Sequence, residues 1–183
     1  GRMPLLVMKF GGTSVADLAP ATIDGLLAGA MQRFGAAPSS GALADAVVQT
    51  VRELTGYDPV MVYRFDADGH GQVIAEARDP RLAPLLGHHY PASDIPQRAR
   101  DLYLRNHVRM LVDVDAVVQP LQPAGLPPDG EPLDMSLAQL RAMSPLHLQY
   151  LRNMGVAASF SASLVLDGRL WGLIAAHHGT PRC

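Results

Sequence analysis

The run from Ala157 to His177 constrains the fold more than any other part of the chain. Ala157 to Leu166 and Arg169 to His177 each read as a strand, and only Asp167-Gly168 separates them. A two-residue Asp-Gly link closes a tight hairpin, because both central residues of the favoured turn need positive φ. The chain must therefore contain antiparallel sheet, and an all-helical fold is excluded. Within the first strand Ser159, Ser161 and Ser163 recur at a period of two, which lines one sheet face with hydroxyls. A packed core seldom takes three neighbouring hydroxyls, so that face is expected to border something other than apolar side chains.

A second hairpin is expected earlier. Pro59 to Phe65 is rich in β-branched and aromatic residues, Asp66 to Gly71 in turn formers, and Gln72 to Arg78 reads as the returning strand. Arg109 to Val114 supplies a further strand. Helices are expected from a cap at Thr22 or Asp24 to Phe34, and from Ser39 or Ser40 to Leu54 with Gly56 as its stop. In the latter, Leu43, Val47, Val51 and Leu54 form one apolar stripe. Three more are expected: Ser93 or Asp94 to about Asn106, Ser136 to Met143, and Pro145 to Met154 with Gly155 behind it. Residues 116 to 132, with five prolines and two glycines, read as an irregular loop. Pro4 to Phe10 reads as a short buried strand running into Gly11-Gly12. The order of elements predicts an α+β domain: a central antiparallel sheet, helices on one face, and an inserted helical and loop layer over a ligand pocket.

The 183 residues carry a net charge of −2, which leaves no cationic surplus to hold a nucleic acid or an anionic membrane surface. Lys9 is the only lysine, so anion sites elsewhere must be built from arginine forks, which suit carboxylate or phosphate. The single cysteine, Cys183, excludes an internal disulfide and a thiol metal site, and a cytoplasmic location is expected. No apolar run approaches a membrane span.

Three groups of residues could carry chemistry. The first is Tyr90 to Pro96 followed by Arg98, Arg100, Arg105 and Arg109. Two prolines bracket Ala-Ser-Asp-Ile there, so main-chain carbonyls and Asp94 can be aimed rather than paired inside a helix, although a plain helix cap reads equally from spacing. The second is Arg141 with Ser144, His147 and Tyr150, the last three stepping along one helix by three. The third is the serine strand opposite His177-His178. Adjacent histidines on a strand point to opposite faces, so neither this pair nor His88-His89 makes a chelate, and no metal is expected. No nucleophile elbow and no Walker loop is present. The set of arginines, hydroxyls, tyrosines and a histidine fits an elongated, partly apolar ligand that carries carboxylates.

Several of these stretches, in order, resemble the chromophore-binding GAF domain of bacterial phytochromes. They are Pro91 to Pro96, Ala99-Arg100, Leu102-Tyr103, Leu140-Arg141, Ser144-Pro145 with His147, Tyr150 to Val156, and Leu170 to Ile174 with His177-His178. The likeness runs from about residue 28 to 182. It implies a pocket for the linear tetrapyrrole biliverdin and a non-catalytic, red/far-red photosensory role. By position, the Asp94 carbonyl would accept from pyrrole N–H groups, with Ile95 and Pro96 against the rings. Arg109 and Arg141 would hold the propionates, supported by Ser144, Ser159 and Ser161. His147 would lie by the central nitrogens, and Tyr63, Tyr90, Tyr150, Met61, Met154 and His177 would surround the ring that isomerises.

The chain also departs from the family. The thiol that bonds biliverdin in bacterial members lies in a preceding PAS domain, and plant-type members place a cysteine where Leu146 stands. The pigment is therefore expected to be held without a covalent bond. Residues 28–183 are expected to be a GAF domain cut before the long helix that follows in the family and mediates dimers, without its PHY domain and kinase output, and with a possible homodimer and a downstream signalling domain or kinase as partners. Met8 to Ala16 is similar to the opening strand and loop of aspartokinases, so residues 1–27 read as a leader of uncertain origin. Two other readings stand beside the photosensor: a pigment-free GAF interaction or dimerisation module, and an aspartokinase-type phosphotransferase using Lys9 and Gly11-Gly12.

Overall fold

The computed structural model describes residues 9–10, 13–14, 20–122, 133–138 and 141–182. β1 (Lys9–Phe10) and β2 (Thr13–Ser14) form a two-stranded ladder of their own. The rest of the first expected strand, residues 4–8, lies outside the described residues, as do Gly11 and Gly12. α1 (Pro20–Gly35) starts at its proline, not at Thr22 or Asp24, because the fixed φ of proline already suits a first helical turn. The helix runs without a break across residues 27 and 28.

α2 (Ser40–Thr55) is capped as its sequence predicts. The Ser39 hydroxyl accepts from the Ala42 N–H at 3.2 Å, and Gly56, at φ 67°, closes the other end by donating to the Arg52 carbonyl. Its buried face differs from the expected stripe. Ala44 and Val48 are buried, with Val47 and Val51 packed beside them, whereas Leu43 and Leu54 are each 39% exposed. The reason lies in what the helix meets: the sheet presents Ala75, Ala77, Ala158 and Ala176, and close approach to so flat a surface favours the small Ala44 at the contact.

The remaining elements are β3 (Val60–Phe65), β4 (Gly71–Ala77), β5 (His89–Tyr90), α3 (Gln97–Arg105), β6 (Val108–Leu111), α4 (Pro145–Asn153), β7 (Ala158–Leu166) and β8 (Arg169–His178). The six strands β3 to β8 form one antiparallel sheet in the order β5-β4-β3-β8-β7-β6. Both expected hairpins are present. Asp167 at φ 50° and Gly168 at φ 73° make the turn that the Asp-Gly pair implies.

Strand alternation divides the core in two. Val60, Val62, Ala75, Ala77, Phe160, Ile174 and Ala176 face α2 together with Tyr57. Met61, Tyr63, Val73 and Leu173 face the other way, beneath Leu85, Tyr90, Ile95 and Tyr103 of the inserted layer. A third cluster, Val114, Leu151 and Val156, seats α4 on the chain that follows β6. The segment between β4 and β5 is held down by Glu76, whose side chain is only 4% exposed and accepts from the Leu85 and Leu86 N–H groups at 3.0 to 3.2 Å.

Two helical expectations fail. Neither Ser93 nor Asp94 caps a helix: Ala92–Asp94 is a single 3-10 turn, and α3 starts only after Pro96, since each proline denies helical backbone to the residue before it. Ser136 and Leu137 form a turn, and residues 141–144 are irregular up to the Ser144 cap, so Ser136 to Met143 is not a helix; residues 139 and 140 lie outside the described residues. The Asp134 carboxylate accepts from the Ser136 N–H at 2.9 Å, and that local bond competes with helix formation. Residues 116–122 are irregular, and residues 123–132 of the same loop lie outside the described residues.

Candidate functional site

The serine face of the sheet is where the polar chemistry gathers. β6 pairs with β7 so that Arg109 lies opposite Ser161, and β8 pairs with β7 so that His177 lies opposite Ser159. Arg109 is 7% exposed. Its Nε donates to the Ser161 hydroxyl at 3.0 Å, and its Nη1 donates to the Ser163 hydroxyl at 2.8 Å and the Asn106 carbonyl at 2.6 Å. Its guanidinium also stacks on the Tyr103 ring, 3.8 Å from the centroid. No carboxylate meets it among the described residues, and its Nη2 is buried without a partner there. Desolvation, eased by the Tyr103 phenol and worsened by the Arg141 charge, pulls its pKa down to about 10, so it remains a cation at neutral pH.

Arg141 approaches from the loop before α4. Its Nη1 donates to the Ser136 carbonyl at 3.0 Å and the Ala138 carbonyl at 3.2 Å. Ser144 caps α4 by accepting from the His147 N–H at 3.1 Å, which leaves its hydroxyl proton free to be donated. Ser159 lies between Leu111 and His177 in the sheet.

The two histidines lie near one another, His147 exposed on α4 and His177 half-buried on β8. Desolvation depresses both, and His177 falls to about 4 with a further push from His147.

The tyrosines gather at the other end. Tyr63 is 7% exposed and stands edge-on to Phe65, with Tyr90 6.0 Å away. Burial first, then the Asp94 carboxylate and the neighbouring phenols, push its pKa up to about 12 against the pull of Arg100. Burial and Asp94 also raise Tyr90 and Tyr150. The exposed Asp94 carboxylate therefore lies within electrostatic reach of three phenols. The Tyr63 ring fits because Gly71 has no side chain; a Cβ there would overlap it. Met61 is buried beside Tyr63, and Ile95 packs over both. Pro96 is exposed and caps α3, while Met154 ends α4 at 39% exposed.

Of the residues expected from the sequence, the structure brings Arg109, Ser161, Met61, Tyr63, Tyr90 and Ile95 to one side of the sheet and His147 near His177, while Asp94, Pro96, Ser144, Tyr150 and Met154 are exposed. The sequence reading missed Ser163 as a ligand of Arg109, Tyr103 as its stacking partner, and Asn106 and Arg100 as scaffolding. Ser163 was legible from the period-two serines. Tyr103 and Arg100 were not, because the chain after α3 folds Arg109 back over the Tyr103 ring and the Arg100 fork reaches Gly69 in the β3–β4 turn, and neither contact follows from a periodic spacing. Arg100 donates to the Ile95, Gly69 and Ala92 carbonyls at 2.7, 2.6 and 3.1 Å and fixes the Pro91–Pro96 segment.

Comparison with known proteins agrees with this geometry. The GAF domain model matches residues 40–182. A bacteriophytochrome of Xanthomonas campestris pv. campestris is 51% identical over 144 residues, which is 79% of this chain and 23% of the relative. The phytochrome-like protein Cph1 of Synechocystis is 51% identical over 138 residues, 75% of this chain and 18% of the relative. Among solved structures, the chromophore-binding domain of a bacteriophytochrome from R. palustris matches with a TM-score of 0.85 at 41% identity, covering 90% of this chain and 55% of that one. That of a Stigmatella aurantiaca phytochrome matches at 0.84 and 46%, covering 91% and 55%. The chain spans about a fifth of the curated relatives and about half of the solved chains. This chain belongs to the GAF domain family, and its relatives there are the chromophore-binding domains of phytochromes.

Proposed function

We propose that the chain is a bilin-binding, red/far-red photosensory domain that holds biliverdin without a covalent bond and turns over no substrate. One observation carries this reading: Arg109 is a buried cation with an unpartnered Nη2 and no counter-ion among the described residues. A charge kept out of water calls for an anion, and a guanidinium with a free edge suits a carboxylate. The donor set fits a dicarboxylate bilin, because Arg141 offers a second guanidinium beside the first.

Biliverdin bound there would supply visible absorption and a double bond that rotates under light. Arg109 and Arg141 hold the propionates in this proposal, with Ser144, Ser159 and Ser161 adding donors. The Asp94 main-chain carbonyl accepts from pyrrole N–H groups, Ile95 and Pro96 lie against the rings, and His147 stands by the central nitrogens. Met61, Tyr63, Tyr90, Tyr150, Met154 and His177 wall the ring that rotates, and the signal passes to an output domain or kinase. The only cysteine of the chain is Cys183, and Leu146, 82% exposed, occupies the position of the plant-type attachment cysteine.

The test is a biliverdin titration followed by absorbance. A sharpened far-red band that changes reversibly under red light supports the photosensor. An unchanged free-pigment spectrum overturns it and favours a pigment-free GAF module.

A further inference from the structure

The β3–β4 turn contains a contact that the site as described does not use. Within the turn, the Asp66 N–H donates to the His70 carbonyl at 2.8 Å, the Gly69 N–H donates to the Asp66 carbonyl at 3.0 Å, and the His70 N–H donates to the Asp68 carboxylate at 3.0 Å. The turn is thus stiff on its own account. From it the His70 ring reaches across to the 3-10 segment, where Nδ1 lies 3.1 Å from the Ala92 nitrogen. Ala92 opens the 3-10 turn, a position whose N–H has no partner within the turn itself.

An amide nitrogen can only donate, so Nδ1 must be the acceptor and the ring proton must lie on Nε2. Nε2 faces the Asp68 carboxylate at 3.8 Å, which favours that placement of the proton. The Ala92 carbonyl is held from the opposite side by Arg100, which also grips Gly69 of the turn and Ile95. Both polar groups of Ala92 are therefore clamped, one by a guanidinium and one by an imidazole nitrogen.

We infer that His70 is a positioning residue for the Pro91–Pro96 segment, through the bond that its Nδ1 accepts from the Ala92 N–H. The functional meaning rests on the proposed role of the Asp94 carbonyl, two residues along, whereas the anchor is a property of the chain alone.

The experiment measures the amide protection factor of Ala92 by NMR in the full pigment-free chain for wild type, His70→Asn and His70→Ala. Wild type is expected to protect Ala92 about fivefold more than His70→Ala, in line with one hydrogen bond. His70→Asn, whose Oδ1 can take the place of Nδ1 as acceptor, should keep the wild-type protection. Protection that is equal in wild type and His70→Ala overturns the anchor. A second arm titrates the three proteins with biliverdin. Several-fold weaker binding by His70→Ala than by His70→Asn supports the positioning role, and equal binding overturns it. If biliverdin binds none of the three, the photosensor reading fails, while the protection data still decide the anchor.

Discussion

A guanidinium held out of water costs free energy that its own hydrogen bonds only partly return. Arg109 has three such bonds, to Ser161, Ser163 and the Asn106 carbonyl, and its Nη2 still has none among the described residues. Removing the charge should therefore divide stability from binding. Arg109→Met is expected to change the unfolding free energy of the pigment-free chain by less than about 1 kcal/mol, as read by urea denaturation. The same change should cost about 2 to 5 kcal/mol of biliverdin affinity, since a propionate is left unpaired in a partly dry site. Wild-type affinity in that variant would move the propionates elsewhere. His177 gives a second residue-level expectation. In the folded chain it stays neutral down to about pH 4, whereas an unfolded imidazole takes its proton near about 6.5. Between these values the unfolded chain binds more protons, so stability is fully present above the higher value and falls as pH drops through the window, by about 3 kcal/mol in all. His177→Gln should flatten the difference between urea midpoints at about pH 7 and about pH 5. A difference as steep as that of the parent would put the titrating group elsewhere.

At the scale of elements, Gly71 links a strand to the tyrosine cluster. It starts β4 directly beneath the Tyr63 ring, where a methyl group has no room. Gly71→Ala should displace that ring and cost about 1 to 3 kcal/mol of stability, the range of an overpacked core, with a shifted tyrosine near-ultraviolet circular dichroism signal as the second readout. An unchanged spectrum and midpoint would mean that the ring moves aside freely. The elements legible in the sequence are those whose signal is local. Asp167-Gly168 marks its own hairpin, Ser39 and Gly56 mark both ends of α2, and Ser144-Pro145 marks the start of α4. Those that were misread depend on side-chain partners that hydrophobic periodicity does not show. Leu43 and Leu54 obey helical spacing, yet the buried face of α2 is set by sheet alanines that lie far along the chain. Ser136 to Met143 has helical composition, but Asp134 captures the Ser136 N–H and Arg141 takes the Ser136 and Ala138 carbonyls, which holds a turn there. The site was partly legible for the same reason: period-two serines reveal a polar face, while nothing near Arg109 announces that Tyr103 lies beneath it.

Across the whole molecule the sheet separates two environments. On one side α2 seals an apolar layer of valines and alanines, and the other side carries Arg109, the strand serines and His177 beside the tyrosine cluster. A pigment on that side finds no thiol at the described positions, since the one cysteine is Cys183. Denaturing electrophoresis of the pigmented chain, stained for zinc-induced bilin fluorescence, is expected to show no fluorescent protein band. A band that disappears in Cys183→Ser would show that the terminal thiol forms the bond. At the end of β8 neighbouring residues serve the two sides: His177 lies opposite Ser159 on the serine face, and His178 stands edge-on to Tyr57 on the α2 side, with ring centroids 6.3 Å apart. A single peptide unit separates them, as it separates successive residues along any strand. A tilt of the strand end under a bound pigment would therefore reach Tyr57, the residue following the Gly56 cap, directly through His178. A fluorinated Tyr57 should report by ¹⁹F NMR whether pigment is bound, and a signal indifferent to biliverdin binding would mean that the strand end absorbs the strain instead.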